Sequence, residues 1–453
     1  MNRSKYLSYV KSGNDYFVYH KLFGNLTLIG EKEYNFLNNF EDGRIEEGSL
    51  VEYLIDNFFI NESDEEAIIV ENEKKNRRAA TDGRMLTGIQ LVVSNFCNFE
   101  CKYCFLNEEH KLRDNSEFNA PSNMEFNVAK KAMDYMIDNV KKNGNSVLSV
   151  EFFGGEPLMN WSLVKKVLDE YGVGEKYGIE IAYTITTNGS LINDEMIDYF
   201  EKYNVLVIVS YDSPNSRERL VKNNKELNDI LFPVFEKMKD RDIDKSFNSV
   251  ISRYTIEQLN YNDLIELAVK YNIQNIGLIL DLDVELLNSN VQLDDIVDLI
   301  IEAYYLGKDK GINVTGYWEK MYLQINNQDA VYFEKGYKAC PAIGAKISVE
   351  PSGDIFACKC CPTKIGNIFE SGDFLTSNGY VDYLNKVYKN SDECGACDFR
   401  SFCSGVCVGT LEKSGSKYGR NELLCYVYKK ITRILIERTK EDEVFLMLKD
   451  MEV

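Results

Sequence analysis

From Gly88 to about Gly311, short apolar runs typical of β-strands alternate with helical patterns, and this alternation constrains the fold more than any other feature. One intervening helix is predicted through Val128–Val140, opened by the capping box Ser122-x-x-Glu125. Six such repeats predict an α/β fold with a parallel sheet, a partial (β/α)6 TIM-like barrel that carries function at the carboxyl ends of its strands. The strand runs are Ile89–Val93, Val147–Phe153, Ile181–Thr186, Val205–Val209, Phe247–Ile251 and Ile276–Leu280.

Residues 1–75 are predicted to form a small separate module. Two short β-rich runs, Tyr16–Tyr19 and Leu26–Ile29, flank the turn signal Gly24-Asn25, and two amphipathic helices are predicted to follow. Ala67–Val70 is predicted to add a strand. The charged stretch Glu71–Gly83 lacks large apolar residues and is therefore interpreted as a linker.

Charge and composition exclude several classes of protein. A net charge of −20 argues against a protein that tracks a nucleic-acid backbone. No apolar run approaches the ~20 residues of a membrane span, and Met1–Asn14 has no apolar signal core. We therefore expect a cytoplasmic protein that binds neither nucleic acid nor membrane. The chain has only two histidines, which excludes sites built on several of them.

The chain has 12 cysteines, which a cytoplasmic protein should not carry as disulfides, so we expect them to bind metal. Cys97, Cys101 and Cys104 follow the first predicted strand with the spacing Cys-x3-Cys-x2-Cys. Three thiolates hold three irons of a [4Fe-4S] cube and leave one iron open to an exogenous ligand. Zinc ligands more often come as separated Cys-x2-Cys pairs. Buried free cysteines are also conceivable here, but the polar neighbours Asn98 and Glu100 argue against them.

The run Cys97-Asn-Phe-Glu-Cys101-Lys-Tyr-Cys104 resembles the signature of the radical S-adenosylmethionine (radical SAM) superfamily. The resemblance implies that the open iron chelates the amino and carboxylate groups of S-adenosylmethionine. It also implies that reductive cleavage of this cofactor yields a 5′-deoxyadenosyl radical in a dry pocket. Tyr103 would then pack beside the adenine.

Further positions match this superfamily in order along the chain. In Phe153-Gly154-Gly155-Glu156-Pro157, the resemblance implies that Gly154 and Gly155 admit the cofactor closely and that Glu156 holds its amino group. Cofactor contacts are also implied for three polar residues at the ends of the third and fourth strands. These are Asn188, Ser210 and Asp212. Arg217 and Arg219 are the candidates for an Arg that meets the cofactor carboxylate, and no catalytic residue is assigned.

The later cysteines resemble the seven-cysteine SPASM domain, which binds two auxiliary [4Fe-4S] clusters. The matching pattern is Cys340-x12-Gly353-x4-Cys358, then Cys394-x2-Cys397-x5-Cys403-x3-Cys407, and finally Cys425. The resemblance gives the distal cluster Cys394, Cys397, Cys403 and Cys425. It gives the nearer cluster Cys340, Cys358 and Cys407.

The fourth ligand of the nearer cluster stays open between three possibilities. Either Cys360 or Cys361 supplies it, or one iron is free to bind a substrate thiolate. A four-cysteine zinc site within residues 394–407 would be a simpler interpretation of the region, but it leaves Cys340, Cys358 and Cys425 unexplained.

Three domains are expected: a PqqD-like, winged-helix-like module for leader-peptide recognition (1–75), the radical SAM partial barrel (76–312) and the SPASM domain (313–453). The resemblance is to maturases of ribosomal peptides, in particular the sactipeptide and ranthipeptide thioether synthases. The first module could instead be a generic packing domain.

The expected activity is a radical SAM oxidation of a leader-bearing precursor peptide that forms a Cys thioether. Three [4Fe-4S] clusters and S-adenosylmethionine serve as cofactors, and a flavodoxin or ferredoxin-type protein as reductant. A sulfatase-maturase activity is disfavoured because Lys359 stands where those enzymes usually carry an Asp base. Peptide epimerisation and carbon–carbon crosslinking are also compatible with the cysteine pattern, and so is a metal-binding scaffold without catalytic activity.

Overall fold

The computed structural model describes most of the chain. The described residues are 1–40, 49–104, 106, 122–213, 226–252, 254–257, 259–280, 292–326, 340–387, 394, 397–399, 402–403, 407–409, 422–439 and 447–448. Arg217 and Arg219 lie outside them.

A small antiparallel sheet forms near the N-terminus. Its strands β2 (Leu7–Ser12), β3 (Asp15–His20) and β4 (Gly24–Ile29) follow the two-residue strand β1 (Asn2–Arg3). The predicted strand–turn–strand pair is thus confirmed, and β2 is an addition. A strand near the C-terminus, β16 (Met447–Leu448), pairs in parallel with β4, so the sheet order is β16-β4-β3-β2.

The two helices predicted after this hairpin are confirmed as α1 (Glu31–Asn38) and α2 (Ser49–Asp56). Leu37 and Leu54 from these helices pack with Val18 and Ile29 of the sheet in a separate small core. The short strand β5 (Ile60–Asn61) then returns to pair with β1.

Residues 65–81 form a helix, α3 (Glu65–Thr81), where a strand and a linker were predicted. Both predictions are wrong, because the apolar run 67–70 is followed by Glu, Lys, Arg and Ala, which are all strong helix formers. The N-cap Asp64 accepts a hydrogen bond from the Ala67 N–H at 3.1 Å. Nε2 of His20 lies 2.7 Å from Oε1 of Glu65, which ties α3 to β3.

The central part of the chain is a parallel sheet with helices between its strands. All six predicted strands are confirmed, as β6 (Gly88–Ser94), β7 (Val147–Gly154), β8 (Glu180–Thr187), β9 (Leu206–Ser210), β10 (Lys245–Ile251) and β11 (Asn275–Leu280). The connecting helices are α4 (Phe126–Lys142), α5 (Trp161–Tyr171), α6 (Asp194–Lys202), α7 (Leu227–Met238), α8 (Tyr261–Lys270) and α9 (Leu293–Lys310).

The predicted start of α4 needs correction. The helix begins at Phe126 with Glu125 as its N-cap, so Ser122 does not cap it as the capping box required. The apolar face of this helix behaves as predicted, since Val128, Ala132 and Val140 are all buried against the sheet.

The sheet continues beyond the six repeats on both sides. A short strand, β12 (Asn313–Thr315), follows β11. On the other side, β13 (Lys346–Val349) pairs in parallel with β6, with Lys346 opposite Gly88. The hairpin strands β14 (Asp354–Phe356) and β15 (Lys364–Asn367) complete the ten-stranded order β12-β11-β10-β9-β8-β7-β6-β13-β14-β15. The C-terminal cysteine region therefore begins on the same sheet as the first cysteine loop.

Three more helices complete the described fold: α10 (Lys320–Ile325), α11 (Asn378–Val387) and α12 (Glu422–Arg438). The N-terminal sheet packs on the cysteine region, where the Tyr19 ring stacks on Phe399 with 6.1 Å between centroids. Tyr19 is fully buried. The division into three domains stays a prediction, and the expected boundary at 75/76 falls within α3.

Candidate active site at the strand ends

Cys97, Cys101 and Cys104 lie on the loop that leaves the carboxyl end of β6, and each is partly buried. A turn closes the second half of this loop, with the Cys104 N–H donating to the Cys101 carbonyl at 3.2 Å. Burial, together with the nearby Glu156, Cys101 and Cys104, raises the pKa of Cys97 to about 11. Bare thiolates are therefore unfavourable here, and the donor set suits sulfurs whose charge is neutralised by iron.

The end of β7 lies flush against this cysteine loop because of two glycines. Gly154 has φ +152°, and a Cβ there would lie 2.1 Å from the Ser94 carbonyl oxygen. A Cβ on Gly155 would lie 2.5 Å from the Phe96 carbonyl oxygen. In place of side chains, the Gly155 and Glu156 N–H groups each donate at 2.8 Å to these same two carbonyls. Only glycine permits this approach of one backbone to another.

Glu156 is fully buried beneath the loop and joins the ends of β7 and β8. Oε1 accepts hydrogen bonds from the Leu158 N–H at 3.0 Å and the Thr187 hydroxyl at 2.6 Å. Oε2 accepts the Asn188 N–H at 2.7 Å. Such an array holds the carboxylate in one orientation, which suits the capture of a cationic amino group.

A second polar network joins the cysteine loop to the end of β8. The Asn188 side-chain amide donates to Oδ1 of Asn98 at 2.8 Å, and the Asn98 amide donates to the Ser190 hydroxyl at 2.9 Å. The Ser190 hydroxyl in turn donates to Oδ1 of Asn188 at 2.7 Å. Asn98 and Ser190 were not predicted, although the position of Asn98 between two of the cysteines was a signal for the first.

Tyr103 and Asp212 meet across the site. The Tyr103 hydroxyl donates to Oδ2 of Asp212, whose Oδ1 accepts the Val250 N–H at 3.0 Å. Asp212 is buried, whereas Ser210 at the end of β9 is partly exposed. This hydrogen bond was not foreseen, and the contact of Tyr103 with adenine stays a prediction. The predicted cofactor residues thus gather at the carboxyl ends of β6 to β9.

A further polar group lies on β6 and β7 and reaches the cysteine region. Nζ of Lys359 lies 3.0 Å from Oε1 of Glu151 and 3.3 Å from the centre of the Phe153 ring. Oε1 of Gln90 accepts the Lys359 N–H at 3.1 Å. Burial acts to raise the pKa of Glu151, but Lys359, Lys346 and Gln90 lower it to about 2. Lys359 was predicted only as the residue that replaces an Asp, so this ion pair is new.

Cys340, Cys358 and Cys407 are brought together from three separate segments. Burial, with Cys407 and Cys358 nearby, raises the pKa of Cys340 to about 11. The side chain of Lys346 extends from β13 toward Cys358 and raises the local positive charge.

Of the distal cysteines, Cys394, Cys397 and Cys403 lie in short turns, and Cys425 lies in α12. The Cys397 N–H donates to the Cys394 carbonyl at 3.1 Å, and the Cys403 N–H donates to the Phe399 carbonyl at 2.9 Å. Burial raises the pKa of Tyr428 on α12, and the adjacent Cys403, Cys407 and Cys425 raise it further. These three cysteines therefore all lie near Tyr428, while the ligand assignment of this group stays a prediction.

Among the described residues, no group of three or more His, Cys, Asp or Glu side chains has the arrangement of a site for a single metal ion. A [4Fe-4S] cube would hold its cysteine sulfurs farther apart than a single ion does. Within the same residues, no helix is long and apolar enough to cross a membrane.

A family profile and full-length relatives connect this chain with known enzymes. The profile of the Radical SAM superfamily matches residues 91–269, which include the cysteine loop and β7 to β10. The chain is 34% identical over 461 residues to the radical SAM cyclopropyl synthase TigE of Paramaledivibacter caminithermalis, covering 96% of both chains. It is 22% identical to a cysteine-type anaerobic sulfatase-maturating enzyme of Clostridium perfringens, covering 70% of this chain and 86% of that one.

Solved structures share the fold at lower identity. The structure of anSMEcpe with bound AdoMet and Cp18Cys peptide superposes with a TM-score of 0.61 at 18% identity, covering 79% of this chain and 98% of that one. Streptococcus suis SuiB bound to the precursor peptide SuiA gives 0.55 at 17% identity, covering 93% and 99%. With a full-length relative above 30% identity and the superfamily profile across its cysteine loop, this chain belongs to the radical SAM superfamily of enzymes.

Proposed function

We propose that this enzyme modifies a ribosomally made precursor peptide by radical chemistry, with S-adenosylmethionine bound to a [4Fe-4S] cluster on Cys97, Cys101 and Cys104. The observation that carries the proposal is the seating of this loop on Gly154, Gly155 and the buried Glu156. When bound, the cluster and cofactor supply a 5′-deoxyadenosyl radical that removes a hydrogen atom from a substrate carbon.

The residues of this chain have separate tasks in the proposal. Glu156 holds the cofactor amino group, and the glycines let the end of β7 pack closely on the cysteine loop. Ser210 and Asn188 line the side of the site that receives the ribose. Asp212 holds the side chain of Tyr103, a residue of the cysteine loop, in place through a hydrogen bond. The C-terminal cysteines would hold two auxiliary clusters, which would supply an acceptor for the electron that the oxidation releases.

The product that we propose is a new bond between two carbons of one peptide. Full-length similarity to a relative named as a cyclopropyl synthase supports this proposal. Such a closure removes two hydrogens: one leaves as a hydrogen atom, and the other leaves as a proton together with an electron. Thioether formation also removes two hydrogens, but one of them comes from a cysteine thiol, which is consumed. The ion pair of Lys359 with Glu151 supports neither sulfatase-type chemistry nor a free base at that position.

The product can be identified on the intact peptide. The reconstituted enzyme, with S-adenosylmethionine, reductant and a peptide encoded beside its gene, is expected to lower the peptide mass by two hydrogens. All cysteine thiols of the product should still react with iodoacetamide, because no sulfur takes part. Mass spectrometry before and after alkylation makes the measurement. A product with one thiol fewer identifies a thioether instead, and an unchanged peptide mass contradicts both kinds of crosslink.

We propose that β2 of the N-terminal sheet binds the leader segment by strand addition. β2 ends this sheet on one side, whereas β16 pairs with the opposite edge at β4. The Lys21 N–H donates to the Tyr6 carbonyl, so in the β2–β3 register the backbone groups of Leu7, Tyr9 and Lys11 point away from β3. These groups offer the ladder that an added strand needs.

Lys11→Pro is expected to weaken leader binding about tenfold, since it removes an outward N–H and blocks the ladder around it. Lys11→Ala keeps the N–H and is expected to bind as the parent does. Lys11 is exposed, so both variants should fold. Fluorescence anisotropy of a labelled leader peptide measures the affinities. Equal affinities for both variants would rule out addition at β2.

A further inference from the structure

Cys360 and Cys361, close to Cys358 in the sequence, are the two candidates for the fourth ligand of the nearer auxiliary cluster. The structure places them in different surroundings. Residues 358–361 form a turn in which the Cys361 N–H donates to the Cys358 carbonyl at 2.9 Å. Neighbouring side chains on such a turn point in different directions. Cys360 and Cys361 therefore have different surroundings.

Cys361 belongs to the hydrophobic core. Its side chain is fully buried, and its sulfur lies 3.7 Å from the Tyr383 hydroxyl on α11. That hydroxyl donates to the Ala342 carbonyl at 3.0 Å. Cys361 thus packs as a small apolar residue against α11.

Cys360 lies beside the other cysteines. It is two residues from Cys358 on the turn, and it packs against the segment that carries Cys407. Gly409 fixes this approach, because a Cβ at that position would lie 2.0 Å from the Cys360 carbonyl oxygen and 2.8 Å from the Cys360 Cβ. The segment 407–409 is therefore packed directly onto Cys360.

The charges around this group fit four thiolates. Lys346 from β13 and Lys359 from the turn itself both lie near Cys358. A cube with four thiolate ligands carries more negative charge than one with three. The two ammonium groups, with Glu151 paired to Lys359, leave one positive charge to offset it.

We propose that Cys360 is the fourth protein ligand of the nearer auxiliary cluster, together with Cys340, Cys358 and Cys407. The inference rests on the proposed presence of that cluster and extends it: every iron of the cube then has a protein ligand. No iron is left to bind a substrate thiolate, so the cluster transfers electrons only. A thioether mechanism that docks the peptide cysteine on this cluster is thereby excluded.

The test uses the full-length chain with Cys97, Cys101 and Cys104 all changed to Ala, so that the remaining iron belongs to the auxiliary sites. This parent should hold about eight iron per chain after anaerobic reconstitution. Cys360→Ala is expected to lose about one to four of them, leaving a three-iron cluster or none at the nearer site. Cys361→Ala is the matched control, and it should keep the parent's iron. Iron analysis and electron paramagnetic resonance of the oxidised proteins make the comparison.

A second readout separates a ligand from a merely structural cysteine. Where Cys360→Ala retains a four-iron cluster, added 2-mercaptoethanol should shift the spectrum of the reduced cluster, because the thiol binds the iron that has lost its cysteine ligand. The same thiol should leave the parent and Cys361→Ala spectra unchanged. Full iron in Cys360→Ala without a thiol-dependent shift, loss of iron in Cys361→Ala alone, or a thiol-dependent shift in the parent itself would overturn the assignment. A parent with no iron would instead refute the proposed auxiliary clusters.

Discussion

Changing Cys97, Cys101 and Cys104 together to Ala is expected to abolish the cleavage of S-adenosylmethionine to 5′-deoxyadenosine. These thiols are the ligands that resemblance to the superfamily assigns to the cofactor-binding cluster, and without them no iron is held open beside Glu156. Iron content should fall by about one cube, from about twelve to about eight per chain. Chromatography of 5′-deoxyadenosine after reduction with dithionite measures the activity, and a colorimetric assay measures the iron.

The matched control removes three cysteines from the distal group, as Cys394→Ala with Cys397→Ala and Cys403→Ala. This variant should also lose about one cube but should still cleave the cofactor in the absence of peptide. Cleavage that survives in the first variant would contradict the assignment of the cluster to this loop. Loss of cleavage in both variants would mean that the two regions do not act independently.

The parallel sheet could be predicted from the sequence because its strands are short runs rich in β-branched and aromatic residues. In β7 the run Val147–Phe153 is bounded by Asn145 and by Gly154, and in β11 the run Ile276–Leu280 follows Asn272. Burial alternates along strands such as β9 and β10, so the buried residues recur at every second position, a pattern that is local to each strand. The pairing of β13 with β6 joins distant parts of the chain and leaves no such local pattern.

Residues 65–81 show where local pattern is ambiguous. Four apolar residues, 67–70, suit a buried strand or one turn of a helix equally well. The charged residues after them were interpreted as a linker, yet α3 buries Ile69 and Ala80 and leaves the charges exposed. A helix that covers a surface needs only a narrow stripe of apolar residues. In α3 this stripe has too few apolar residues to be recognised in the sequence.

The candidate site, too, has features that the sequence reveals and features that it does not. The cysteines and the glycines before Glu156 are contiguous motifs, so the sequence alone identifies them. The hydrogen bonds that support them join separate strand ends, as Tyr103 does with Asp212 and Asn98 with Asn188. Such pairs depend on which strands are neighbours in the sheet, and a single sequence does not contain that information.

Glu156→Gln is expected to weaken the binding of S-adenosylmethionine about 10- to 100-fold. The change removes the negative charge that the proposal pairs with the cofactor amino group, and a charge-assisted hydrogen bond contributes about 1.5–3 kcal/mol. The variant also introduces an amide where the carboxylate accepts the Asn188 N–H and the Thr187 hydroxyl. A buried N–H that faces another donor lowers the free energy of unfolding by about 1–3 kcal/mol. The melting temperature should therefore fall as well.

Thr187→Val separates the two effects because it disturbs the same carboxylate without removing its charge. It deletes the hydroxyl that donates to Glu156 and accepts the Gly189 N–H, so it should lower the melting temperature to a similar extent. Its affinity for the cofactor should fall only a few-fold. Isothermal titration calorimetry on anaerobically reconstituted protein gives the affinities, and circular dichroism gives the melting temperatures. Equal losses of affinity in the two variants would show that Glu156 supports the loop and does not bind the amino group, since only the charge distinguishes them.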